Sequence, residues 1–123
     1  MLLSLCRLFE NLVQRFEPEV FYHLLDLGIQ PLQVAFQWIQ FAFAGYLEPQ
    51  ETLLLWDRVI GFDRLELLPI LAASIFLYRA ASLVQCRTAD DVRDVFSDPS
   101  KIKVIPLLQH FLFSHEMDKL YPG

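Results

Sequence analysis

Glycine, cysteine, histidine and basic side chains are all scarce in this chain, and each scarcity removes a class of function. Only four of 123 residues are glycine, and Gly28, Gly45, Gly61 and Gly123 each stand alone. A phosphate cradle needs several glycines together so that consecutive backbone N–H groups turn inward, so no such loop is expected. The two cysteines, Cys6 and Cys86, are too few for a disulfide framework. Both fall in apolar helical surroundings, where a small buried thiol in a reducing compartment is the expected state. Ten Lys plus Arg face fifteen Asp plus Glu, a net charge of -5. Residues 1–60 carry three basic and seven acidic groups, residues 61–123 seven and eight. A nucleic-acid surface needs clustered positive charge, so no nucleic-acid partner is expected.

The three histidines, His23, His110 and His115, lack the paired spacing of a zinc site. His110 and His115 are five apart, which puts them on different faces of a helix. No metal and no cofactor is expected. The acidic group Asp90, Asp91 and Asp94 reads as a helix first turn, where negative charge complements the dipole. The serines lack a strand-to-helix nucleophile elbow, so no catalytic residue is assigned. Long apolar runs are missing too. The most apolar uncharged stretch, Leu67 to Tyr78, has twelve residues, against about twenty needed to cross a bilayer. It reads as a buried core helix. At the N-terminus Arg7 and Glu10 interrupt the greasy Met1–Leu5 start before a signal-peptide core forms.

What is abundant is apolar surface in helical register. Hydrophobic residues make up 54% and charged residues 20%, which excludes disorder. Leu5, Leu8, Phe9, Leu12, Val13 and Phe16 follow i, i+3, i+4 spacing and predict a helix over about 3–16. Pro18, Pro31 and Pro49 open three more, closed at Gly28, Gly45 and Gly61. The third carries a seam of Leu32, Phe36, Ile39 and Phe43, and the fourth an apolar set of Leu53, Trp56, Val59 and Ile60. Asp63 with Glu66 predicts a capping box for a long helix reaching Val84, with a bend or a later start at Pro69. Thr88 with Asp91 predicts the cap of a short acidic helix, and Asp98-Pro99 starts a last element interrupted by Pro106. There Ile102, Ile105, Leu108, Phe111 and Leu112 are expected inside. The expected fold is an all-α array of about six to seven short to medium helices. It forms one domain over residues 1–113, with a flexible tail over 114–123.

Within this array, Phe21 to Val84 resembles the C-terminal half of a TBC domain, the helical module of GTPase-activating proteins for Rab GTPases. The matching positions are His23-Leu24, Gly28-Ile29 with Pro31, Trp38 with Phe43, and Leu55-Trp56-Asp57 with Gly61. The resemblance implies mainly structural roles for these positions, with Trp38 and Trp56 as core anchors.

The resemblance also marks an absence. The family's catalytic arginine and glutamine belong to IxxDxxR and YxQ patterns in the N-terminal half, and neither pattern occurs in this sequence. An arginine finger is worth about 10³–10⁵ in rate, and glutamine orients the attacking water. Arg15, Arg58, Arg64 and Arg79 are not expected to substitute; Arg58 is expected to pair with a carboxylate such as Glu51. The resemblance therefore implies a supporting lobe, non-catalytic alone, whose partners are a Rab-family GTPase or the missing N-terminal lobe. It implies a cytoplasmic protein of vesicle trafficking, recruited to membranes through partners. The alternative is a small helical adaptor or a self-associating interaction module.

Overall fold

The computed structural model describes residues 1–114, and every regular element among them is helical. Eight α-helices follow in order: α1 (Leu2–Phe16), α2 (Pro18–Asp26), α3 (Pro31–Gln40), α4 (Pro49–Phe62), α5 (Leu67–Tyr78), α6 (Ala80–Leu83), α7 (Ala89–Phe96) and α8 (Val104–Ser114). A 3-10 turn at Pro99–Lys101 precedes the last. The all-α expectation holds. Past Ser114, the expected tail lies outside the described residues.

Prolines set the helix starts. Pro18, Pro31 and Pro49 each occupy the first helical position, where a missing N–H leaves nothing unsatisfied. Pro69 and Pro106 are third residues of α5 and α8, still within the first turn, whose N–H groups have no intrahelical acceptor. Of the bend or later start expected at Pro69, the later start is what is found, and Pro106 does not interrupt α8.

Helix ends follow a rule that glycine spacing alone does not reveal. At the end of α2, Gly28 adopts φ +80, its N–H donates to Leu25 O (2.9 Å), and Ile29 N–H donates to Leu24 O (2.9 Å). This is a Schellman closure. The same paired bonds end α3 with Ala42 at φ 50, through Ala42 N–H to Ile39 O (3.3 Å) and Phe43 N–H to Trp38 O (2.7 Å). They end α4 with Asp63 at φ 50, through Asp63 N–H to Ile60 O and Arg64 N–H to Val59 O. So α3 stops five residues before Gly45, Gly61 lies inside α4, and Asp63 terminates one helix rather than capping the next. The long helix expected to reach Val84 instead ends at Tyr78 and is followed by the single turn α6.

The core is built around α5. Every residue from Leu67 to Phe76 is buried, because α1, α3, α4 and α8 all pack against this helix. A helix enclosed on all sides needs no polar face. From α1, Leu5, Phe9, Leu12 and Val13 turn inward, and the Phe9 and Phe76 rings meet edge to face at 5.2 Å. Each fully buried large apolar side chain is worth about 1.5–3 kcal/mol. Ser74, the polar exception, donates its hydroxyl to Ile70 O at 2.7 Å.

Two helices present faces other than those expected. On α3 the buried residues are Pro31, Ala35, Trp38 and Ile39, leaving Phe36 37% exposed. On α4 the inward residues are Glu51, Thr52 and Leu55, while Leu53, Trp56 and Ile60 are 63%, 38% and 79% exposed. In α8, Leu108 and Phe111 are buried as expected, but Ile105 and Leu112 are only half-buried.

The cap of α7 is the one predicted. Thr88 Oγ1 accepts from Asp91 N–H (3.2 Å), and Asp91 Oδ2 accepts from Thr88 N–H (3.2 Å) and Arg87 N–H (3.0 Å). Those donors, Arg87 N–H foremost, hold the Asp91 carboxyl below its ordinary range.

Candidate functional site

The motif residues divide between an interior group and a surface group. His23, on α2, donates Nε2–H to Cys86 O at 2.6 Å, tying α2 to the segment after α6. Leu24 beside it is fully buried. Gly28 supplies the left-handed turn, and Pro31 starts α3 two residues after the Schellman bond of Ile29. Trp38 is an aromatic hub: it stacks on Tyr46 (4.5 Å) and Phe43 (5.7 Å) and meets Phe96 (5.5 Å) and Phe76 (6.1 Å) at steeper angles. Such pairs add about 0.5–1.5 kcal/mol each beyond area burial. Phe43 is fully buried despite φ 66.

The surface group lies on α4. Trp56 is not a core anchor: it is part-exposed and donates Nε1–H to Ala42 O at 2.8 Å. This bond joins α4 to the turn that follows Trp38, so Trp38, Phe43 and Trp56 are linked through one stretch of backbone. Asp57 and Gly61 are exposed and line a shallow hollow of about 260 Å³ with Leu54, Arg58 and Phe62. Gly28 and Trp38 line another cleft, of about 500 Å³, together with Tyr46, Val92, Arg93 and Phe96.

Among the described residues no three His, Cys, Asp or Glu come together as metal ligands. Cys6 and Cys86 are free and buried, and burial pushes both thiols up, helped by Glu10 for Cys6 and by Asp91 and Asp94 for Cys86. A protonated thiol is a poor nucleophile. No helix among the described residues is long and apolar enough to cross a membrane.

The arginines are arranged differently from expectation. Arg58 does not pair with Glu51, whose Oε1 accepts instead from Val104 N–H at 2.8 Å. The ion pair among the described residues is Arg93 with Asp90 at 2.8 Å. Arg79 donates to Asp98 O (3.2 Å) and lies over the Tyr78 ring, while Arg15 lies over Phe16.

Three residues with structural roles escaped sequence reasoning. Glu51 was expected as a partner for Arg58 and not for the Val104 N–H, Ala42 carried no turn signal, and Tyr46, which donates to Phe96 O at 3.0 Å, carried no spacing signal.

The all-helical array and the order of its motif residues are consistent with the TBC-like helical array that the resemblance implied. The sequence model of the Rab-GTPase-TBC domain family matches residues 1–84, and the chain belongs to that family. The match takes in α1 as well as the Phe21–Val84 stretch that carries the motif residues. Over 113 residues the chain is 47% identical to TBC1 domain family member 19 of Homo sapiens, an alignment covering 92% of this chain and 22% of that protein. The chain thus spans about a fifth of the length of that relative. No solved structure gives a significant match.

Proposed function

We propose that this chain is the C-terminal, supporting lobe of a TBC-type Rab GTPase-activating domain. It contributes to GTPase binding or scaffolding and leaves hydrolysis to residues outside it. The observation that carries this reading is the outward apolar stripe of α4, Leu53, Trp56 and Ile60, in a chain of this family without the arginine and glutamine patterns. An apolar stripe facing solvent is a surface awaiting a partner. Here the partner is the N-terminal lobe or a Rab-family GTPase. His23, Leu24, Gly28, Pro31, Trp38 and Phe43 build the scaffold, and Trp56, Asp57 and Gly61 lie on the exposed side of α4 that forms the contact surface. The protein acts in the cytoplasm and reaches membranes through its partners.

The test is a GTP-hydrolysis assay across a panel of Rab GTPases, run beside a binding measurement. The lobe alone leaves every hydrolysis rate at its intrinsic value, and it binds either a GTPase or a separately expressed N-terminal lobe. Robust stimulation by these 123 residues alone contradicts the reading. Self-association through the α4 stripe, seen as a dimer mass that Ile60→Glu returns to monomer, favours the helical-adaptor alternative.

A further inference from the structure

We infer that the groove between the C-terminal halves of α4 and α8 docks an amphipathic helical segment of a partner protein that carries carboxylates beside an apolar stripe. The groove has a volume of about 290 Å³. Leu67 and Leu108, both buried, form its floor, and Ile105 and Leu112 are half-buried along it. Phe62 and Phe113 stand at its mouth, 62% and 82% exposed. Two arginines, Arg58 and Arg64, complete the lining with Gln109, and no carboxylate lines it among the described residues.

Charge identifies the occupant. The chain carries a net charge of -5, yet neither Arg58 nor Arg64 has a salt-bridge or hydrogen-bond partner among the described residues. Asp57, Asp63 and Glu66 are close in sequence, but none reaches either guanidinium. Arg64 is half-buried in this unpaired state. A guanidinium presents a fixed fork of donors matched to carboxylate oxygens. Two such forks beside an apolar trough fit an acidic amphipathic helix, a recurring mode of peptide recognition.

A second copy of the chain fits less well. Docked two-fold on the same groove, it would bring no carboxylate of its described lining to either arginine. This surface is separate from the outer stripe of the proposed function: on the helical wheel Arg58 and Phe62 lie across α4 from Trp56 and Ile60.

The test uses the whole chain and three fluorescent 16-residue probes. One bears a leucine stripe flanked by glutamates, one the same stripe flanked by lysines, and one a scrambled glutamate sequence. The glutamate probe should bind, weaken as salt rises, and lose about tenfold or more in affinity to Arg58→Glu/Arg64→Glu. The lysine probe should bind that double variant better than the wild type, a gain that only a folded variant can give. Equal binding of the glutamate and lysine probes overturns the inference, as does indifference to the charge reversal. Two further outcomes also overturn it: a chain ending at Ser114 that binds the glutamate probe much more tightly than the whole chain, and a dimer that Arg58→Glu disrupts. Binding to phosphatidylserine vesicles with none to the glutamate probe does so too. No GTPase enters the assay, so its failure leaves the lobe reading standing.

Discussion

The carboxylate of Glu51, on the first turn of α4, accepts the backbone N–H of Val104, the first residue of α8, at 2.8 Å. The two residues are 53 apart in sequence, and the carboxylate is almost fully buried. The bond places a negative group at a helix N-terminus, where unsatisfied N–H groups and the dipole both favour it. It also holds the starts of α4 and α8 side by side, which aligns their C-terminal halves along the arginine-lined groove.

Removing this carboxylate should therefore cost more than an ordinary surface acid. Glu51→Ala leaves a buried N–H without an acceptor and is expected to destabilise by about 2–3 kcal/mol, while Glu51→Gln, which keeps a carbonyl acceptor, costs about 1 kcal/mol. Urea denaturation with an unchanged slope is the measurement. Equal midpoints for Glu51→Ala and the wild type would show that the bond contributes nothing.

Ala42 and Gly28 occupy equivalent left-handed positions in two Schellman closures, and only one of them is glycine. Ala42→Gly should stabilise by about 0.5–1 kcal/mol, by removing the steric cost of Cβ at positive φ. Gly28→Ala should destabilise by about 1 kcal/mol through that same cost alone, since a Cβ there meets nothing within 4 Å. Thermal unfolding of the two variants should shift in opposite directions.

These closures explain which parts of the fold were legible. Helix starts were readable at Pro18, Pro31 and Pro49 and at the Thr88–Asp91 box, where the local chemistry supplies the reason, but not for α5 and α8, whose prolines lie in the first turn rather than at its opening. The end of α2 at Gly28 was readable too, but those of α3 and α4 were not: Ala42 has no intrinsic left-handed preference and sits in a turn whose carbonyl accepts the Trp56 bond, and Asp63 reads equally well as a helix start. The inward face of α1 followed its periodicity. That of α4 did not, since apolar residues occur all around it and Glu51 is drawn inside by the N-terminus of α8. The motif residues were found by their order, yet the aromatic hub around Trp38 recruits Tyr46, Phe76 and Phe96 from distant segments that no local spacing links.

The two tryptophans should be separable in solution. Trp38 is 7% exposed inside its aromatic cluster, and Trp56 is 38% exposed on α4. Iodide should quench the Trp56 emission and spare that of Trp38. Trp56→Phe should leave a blue-shifted, quencher-resistant spectrum and cost about 0.5–1.5 kcal/mol for the lost bond to Ala42 O. Equal quenching of both residues would contradict the placement of α4.

Tyr46 makes stability depend on alkaline pH. Burial pushes its phenol up to about 12, an effect that nearby Arg79 reduces and Asp98 reinforces. The hydroxyl donates to Phe96 O, so it must keep its proton for the bond to exist. An unfolded tyrosine loses its proton near pH 10, the folded one only near 12. Below pH 10 both states are protonated and the contribution is fully present. As pH rises from about 10 to about 12 the unfolded state ionises first, is favoured, and stability falls. Tyr46→Phe removes the titrating group, so its stability should lose this component of the decline, although it starts lower by about 0.5–1.5 kcal/mol for the missing hydrogen bond. Guanidinium midpoints at pH 8, 10 and 11 distinguish the cases: the gap between wild type and variant should narrow with pH. A constant gap would mean that the Tyr46 hydroxyl is as easily ionised in the folded protein as in the unfolded chain, which its seat between Trp38 and the end of α7 rules against.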